Sequence, residues 1–532
     1  MNSTTPFDPG RIRVLIVNND AMSSRMLRHM LTASGYQVSV AEGFGQRLIE
    51  DTLKRAHSFW PHIALIDLRI AFASEHDRYH HDDLSGLALI DQLGSSVHCI
   101  LISSWLTPRI SVAAIKNHGA FDVIGLNNDF GEAMDIADEL LLSLKKAASE
   151  RSAGGRRVTF SWNNIMLDGL RRHMGTEAVF DLHELVEDLL VQLFPEATTL
   201  LIDPVVTGQG SASANRQHSV VLVVRTAADR MPIIVKFGPV QRMAQERERY
   251  QQHIQSQLPL FYAELQKYTE FWGLGATRYS FLGLGGAGNR LPSLADYFHQ
   301  SEDPTALMKP IHHFLGVVWQ KYYATRQEPA LAETLFGQYD AYLHLRERME
   351  QALATAEDQR SPRIALIRWL STNWALAGPA GPAAITHGDL HADNLFVDMD
   401  GRSWAIDFER TSQGPILRDF AELETDIVTR LTNLSSDDPA FASFIQALLE
   451  SHTLALPLLE PPVVEAHKSL HTIACIRQLA AELTGSDPVR YWWALLYHAI
   501  FVLLIKPDAS HAEIFAAALI AKLETIYQEK GT

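Results

Sequence analysis

The stretch from His387 to Glu409 constrains this chain more than any other. It holds HGDLHADN (387–394) and then WAIDFE (404–409), a short apolar strand that stops on Asp407. A polar loop with a glycine turn, followed by a strand ending in a carboxylate, gathers oxygen donors in one place. Asp389 can accept the proton of an attacking hydroxyl. Asn394, five residues later, can reach Mg²⁺ from the same loop, and Asp407 supplies a second ligand. Mg²⁺ takes oxygen ligands, commonly one or two carboxylates together with substrate phosphates. Phosphoryl transfer requires this combination of an orienting carboxylate, metal ligands and a cation on the phosphate oxygens.

The block resembles the aminoglycoside phosphotransferase and choline kinase-like family, whose catalytic loop is HGDxHxxN and whose metal motif is IDF or IDFE. The downstream GPILRDFAEL (414–423) is similar to the family's GPxxxDLA stretch. The resemblance implies Mg-ATP as donor, Asp389 as base, and Asn394 and Asp407 as metal ligands. It also implies supporting roles for His387, which orients the loop, and for Asp419, which buttresses it. Upstream, VVTGQGSASA (205–214) lies between two expected strands, as a phosphate lid does, with Gly208 and Gly210 letting backbone N–H groups approach phosphate. Lys236 closes the apolar strand PIIVKFG and looks like the lysine that pairs with the phosphates. Its acidic partner is expected at Glu246 rather than Glu248, because Tyr250 and Ile254 follow Glu246 at helical spacing. The glycines at 283, 285, 286 and 288 read as a hairpin, since no P-loop ending accompanies them.

Residues 11–147 alternate apolar strands with amphipathic helices: RVLIV, HIALIDL, CILIS and FDVIGL are the clearest strands. That alternation predicts a parallel, doubly wound α/β sheet. The order resembles a response-regulator receiver, with Asp67 at the phosphoacceptor position and Ser103 at the switch position. Three features depart from the active pattern. The acidic pair after the first strand is Asn18 and Asn19, with only Asp20 nearby; Leu126 stands where the family has lysine; and a histidine-rich insertion (73–86) follows Asp67. Amides bind a hard cation more weakly than carboxylates, and leucine cannot neutralise an acyl phosphate. The expectation is a degenerate receiver that docks partners or its own kinase lobe. His76, His80, His81, Asp82 and Asp83 lack regular ligand spacing and read as a solvated loop.

The expected organisation is a receiver-like domain (11–147), a linker with a helical segment (148–197), a β-rich kinase-like N-lobe (198–300) and a helical C-lobe (301–530), the last two making an α+β bilobal pair. ERSAGGRRV (150–158) reads as linker, and 161–194 as two helices. A net charge of -16 argues against DNA and anionic membrane as partners. Two distant cysteines and the absence of a basic, then apolar, stretch at the N-terminus favour the cytoplasm. The apolar run 491–505 falls short of the roughly 18–20 residues a membrane span needs and reads as a buried helix.

Three functions follow as expectations. The first is a signalling phosphotransferase that uses Mg-ATP on a hydroxyl of a small molecule or protein, regulated through the receiver-like domain by a signalling partner. The second is a non-catalytic pseudokinase and pseudo-receiver scaffold. The third is a response regulator phosphorylated on Asp67 with phosphotransfer as its output.

Overall fold

After a short first strand, β1 (Asn2–Thr4), strand and helix alternate through β2 (Arg13–Val17), β3 (Gln37–Val40), β4 (Ile63–Asp67), β5 (His98–Ser103) and β6 (Asp122–Gly125). In this computed structural model β2 to β6 pair in parallel, in the order β3-β2-β4-β5-β6. That is the doubly wound arrangement with a single switch point. All five residues of β2 are buried, as a strand covered on both faces requires. Val14 and Ile16 enter a core with Leu27, Leu31, Leu140 and Leu144, while Leu15 and Val17 face Leu48 and Leu87. The residues described are 2–4, 7–70, 83–126, 133–163, 167, 170, 181–204, 219–227, 232–258, 261–280, 291–330, 332–455, 464–506 and 508–531.

A second sheet follows, from β7 (Thr159–Trp162), β8 (Thr199–Pro204), β9 (Val220–Thr226), β10 (Ile233–Pro239), β11 (Leu265–Phe271) and β12 (Leu274–Ser280). Its order is β1-β7-β8-β9-β10-β12-β11, antiparallel except for β7 against β8. The parallel pair is bridged by the helix Leu182–Leu193, which starts on the cap Asp181. Residues 161 and 162, expected to open a helix, instead finish β7. Thr159-Phe160-Ser161-Trp162 is β-prone, and its main chain is paired on both sides, to β1 and β8.

Both sheets belong to one compact unit, made of the described residues of 1–206, 215–244 and 265–280. The bases of β2 and β4 meet the β11–β12 turn and the helix Leu182–Leu193 along a bonded seam. His62 is wholly buried; its Nδ1 accepts from Arg13 N (3.0 Å), so Nε2–H donates to Asp188 Oδ2 (2.8 Å). Asp188 Oδ1 accepts from Ser152 Oγ (3.0 Å) and Ala153 N (2.8 Å). Burial holds His62 below its usual pKa and the imidazole neutral. Burial would raise Asp188, but the His62 hydrogen bond and the Arg13 and Arg11 charges outweigh it and keep it ionised. The His62 ring stacks on Phe271 at 4.9 Å, and Trp272 Nε1 donates to Pro61 O (3.0 Å). The stretch 150–158, expected as linker, is packed into this seam. Ser152, Ala153 and Gly154 are buried, and a Cβ on Gly155 would lie 2.2 Å from Ala148 C.

The other unit takes the described residues of 245–264 and 281–532 and is mainly helical. Its centre is the helix Val489–Ile505, with Trp492, Trp493, Leu495 and Leu496 fully buried. Two short antiparallel strand pairs interrupt the helices: β13 (Ala383–Thr386) with β16 (Ser412–Pro415), and, between them in the chain, the hairpin of β14 (Leu395–Val397) with β15 (Ser403–Ala405). The chain is therefore an α/β receiver-like fold joined to an α+β kinase-like fold. Among the described residues no helix is long and apolar enough to cross a membrane.

Candidate active site

The two strand pairs aim the polar loop. In β14–β15, Leu395 stands opposite Ala405, so the residues just beyond, Asn394 and Ile406, are adjacent; Ile406 N donates to Asn394 O (3.0 Å). Asn394 and Asp407 are thereby brought to the same end of one hairpin. Asn394 Nδ2 donates to Asp389 O (2.8 Å), which ties its side chain to the backbone of the expected base. Asp407 has φ 63°, a left-handed conformation uncommon outside glycine, asparagine and aspartate. Strained backbone of this kind clusters at functional sites.

Gly388 turns the loop with φ +83°. A Cβ there would meet Arg410 O at 2.4 Å and Arg418 Nη2 at 2.6 Å, so only glycine fits. His387 is fully buried among Phe314, Trp319 and Phe408. Burial lowers its pKa, and neutral His387 hydrogen-bonds Ile406 O through Nε2 (3.0 Å). It joins the loop to the strand that carries Asp407, a supporting position.

The helix Arg418–Asp426 holds the loop by carboxylates one helical stripe apart. Asp419 accepts from His387 N (2.9 Å), Gly388 N (2.9 Å) and Tyr323 Oη (2.9 Å). Glu422 accepts from Leu390 N (3.0 Å), and Asp426 from Ala392 N (2.9 Å). Residues spaced by three and four along a helix share a face, so the ladder follows from the helix period. Arg418 donates to Gly388 O from the same helix. Arg410 Nη1 lies 3.4 Å from Asp389 Oδ1, placing a cation on the carboxylate expected to handle the proton.

Glu246 is fully buried, whereas Glu248 is exposed. One ligand atom each of Glu246, Asp407 and Glu409 lie within 4.8 Å of one another. Three carboxylates at that spacing suit a hard divalent cation, as the expected Mg²⁺ is. Glu409 was visible as the last letter of IDFE but had no role in the sequence reading. Glu422, Asp426, Arg410 and Arg418 were also missed; the Asp419, Glu422, Asp426 spacing was the available signal. Lys236 is buried in β10, opposite Thr277 of β12, and belongs to the first unit. Gly208 and Gly210 lie outside the described residues, as do the glycines of 281–290 and His76, His80, His81 and Asp82.

In the parallel sheet, Asp67 and Ser103 end neighbouring strands. Burial pushes the Asp67 carboxyl up to about 6, against hydrogen bonds from the Ser103 hydroxyl and the Leu68 and Arg69 N–H groups. Asn18 Oδ1 accepts from Asp20 N (2.7 Å). Asp20 caps the helix Ala21–Ala33, accepting from Ser23 N (2.9 Å) and Ser23 Oγ (2.5 Å). Leu126 N donates to Ser103 O (3.0 Å), and the Arg69 guanidinium stacks on Trp105 at 4.2 Å.

A family model described as ternary complex associated domain 9 matches residues 359–504, which include the loop, both metal-motif carboxylates and the carboxylate ladder. No curated protein matches the chain. Among solved structures, aminoglycoside phosphotransferase APH(4)-Ia is 13% identical over 64% of this chain and 98% of its own, with TM-score 0.39. A thermostable mutant of that enzyme in ternary complex with ADP and hygromycin B gives 15%, 64%, 98% and 0.38. A CheY-like receiver domain protein from Methanospirillum hungatei JF-1 is 19% identical over 26% of this chain and 98% of its own, with TM-score 0.21. At such identities only fold is compared, and what this chain does must be sought in its own side chains.

Proposed function

We propose that this chain is a Mg-ATP-dependent phosphotransferase acting on a hydroxyl of a small molecule or protein. The observation that carries the reading is the loop in which Asp389 is tied through its carbonyl to Asn394, and which leads into a hairpin with Asp407 just past its second strand. Asp389 orients the acceptor hydroxyl and takes its proton. Asn394 and Asp407, with Glu409 and Glu246 beside Asp407, would hold the metal, whose charge offsets that of the phosphates. Lys236 would contact the phosphates, and Gly208 and Gly210 would cover them. Arg410 lies against the Asp389 carboxylate, and Asp419 and His387 keep the loop in register.

With labelled ATP and Mg²⁺, wild type is expected to label an acceptor or release phosphate, and Asp389→Ala to lose about 10²–10⁴-fold of that rate with nucleotide binding retained. Folded wild-type protein that gives no Mg-ATP thermal shift would defeat the reading.

We further propose that the receiver-like domain takes its input by docking. The amide Asn18 and the cap role of Asp20 support this, because neither leaves a carboxylate pair for a metal beside Asp67. Incubation with acetyl phosphate and Mg²⁺ is expected to leave Asp67 unlabelled. Labelling of wild type but not of Asp67→Ala would restore the phosphorelay alternative.

A further inference from the structure

The three carboxylates of the helix Arg418–Asp426 are not equivalent. Asp419 has both oxygens engaged, Oδ1 by Gly388 N and Oδ2 by His387 N and Tyr323 Oη. Asp426 is also fully engaged: Arg430 Nε donates to Oδ1, and Arg430 Nη2 and Ala392 N donate to Oδ2. Glu422 spends only Oε2, on Leu390 N, the amide next to the expected base. Its Oε1 makes no hydrogen bond among the described residues, and the side chain keeps some exposed surface.

We infer that Glu422 is a positioning residue for Asp389, holding a proton on its unspent oxygen so that the two carboxyls do not face each other as a pair of like charges. The inference rests on the phosphotransfer reading and gives that site a regulation by pH.

The charges around Glu422 support it. Asp389 faces it from the loop, and its own helix adds the negative Asp419. The cations are Arg410, shared with Asp389, and Arg418, whose guanidinium is turned onto the Tyr342 ring at 3.5 Å and onto Gly388 O. Tyr339 and Tyr342 lie in the neighbouring helix Leu335–Leu343, and burial keeps both phenols protonated. From the helix Val489–Ile505, His498 adds no charge, because burial and the Arg418 and Arg410 charges push it down to about 3. The same helix's Tyr491, with Arg477 from His467–Thr484, is committed to Glu424. Burial and the Asp389 charge push Glu422 up to about 8. Two like charges sharing a site are kept apart by leaving one protonated. Once Glu422 ionises, a second negative charge stands where the phosphoryl group must approach.

The test compares wild type and Glu422→Gln from pH 6 to 9.5. Glutamine still accepts from Leu390 N but cannot ionise. With Mg-ATP and water as acceptor, wild-type kcat is expected to fall roughly tenfold by pH 9, one unit above the midpoint. Glu422→Gln is expected to lose that limb. Superimposable profiles would overturn the inference and leave the phosphotransfer reading standing. No turnover by wild type at any pH would overturn both. In parallel, Tm of wild type should drop relative to Glu422→Gln as pH rises through 8; parallel Tm curves would also overturn the proton assignment. A merely structural Glu422 would shift kcat equally at every pH.

Discussion

Asp67 and Asp389 are the two carboxylates proposed for phosphoryl chemistry, and their surroundings differ in kind. Asp67 closes a buried strand with Ser103 as its side-chain hydrogen-bond partner, an amide at Asn18 and a neighbouring acid already used as a helix cap. Asp389 lies in a loop whose backbone N–H groups are held one after another by Asp419, Glu422 and Asp426, with Arg410 against its own carboxylate. The first carboxyl is pushed toward neutrality by burial; the second has a cation and a fixed frame. The two sites differ in the groups that hold the carboxylate, and the carboxylate alone says little.

That contrast can be broken at either end. The largest effect is expected from Asp419→Ala. It strips a fully buried acceptor from two loop amides and the Tyr323 hydroxyl. Hydrogen bonds to a charged group contribute about 1.5–3 kcal/mol each, so a loss of at least about 3 kcal/mol is expected in urea unfolding. Turnover should fall further than nucleotide affinity, since the loop carries Asp389. A stable, fully active Asp419→Ala protein would mean that the ladder does not hold the site.

A smaller effect of opposite sign is expected at Asp67. Its folded pKa of about 6 lies above the usual carboxylate value, so the folded state binds the extra proton. The associated stability is fully present below about pH 4 and lost as pH rises through about 6. Asp67→Asn, which cannot ionise, should thus be more stable than wild type at pH 8, by on the order of 2 kcal/mol, and gain little at pH 4. A gain of equal size at both pH values would show that burial of the charge is not its cause.

What could be read in advance follows the same divide between local and distant causes. The loop and metal motif are contiguous runs, and the strand–helix alternation of 11–126 is a local periodicity, so both were legible. The face of Arg418–Asp426 that meets the loop is chosen by tertiary packing, which left Glu422 and Asp426 without a role. The strand Asn2–Thr4 exists through pairing with Ser161, Phe160 and Thr159, some 150 residues away. The stretch 150–158 has the composition of a linker, yet Gly154 and Gly155 are there because Asp8, Arg11 and Ala148 come too close for a side chain.

The seam at His62 and Asp188 has a mechanical consequence. A regulator on a loose tether can act by swinging toward or away from its enzyme. Here the base of β4 is hydrogen-bonded through His62 to Asp188, and Trp272 reaches back to Pro61. Parting the two sheets would break the His62–Asp188 and Trp272–Pro61 hydrogen bonds together. The parallel sheet and the sheet that carries Lys236 are thus one bonded body, and a deformation at the Asp67 end of the first would pass to the second through that seam.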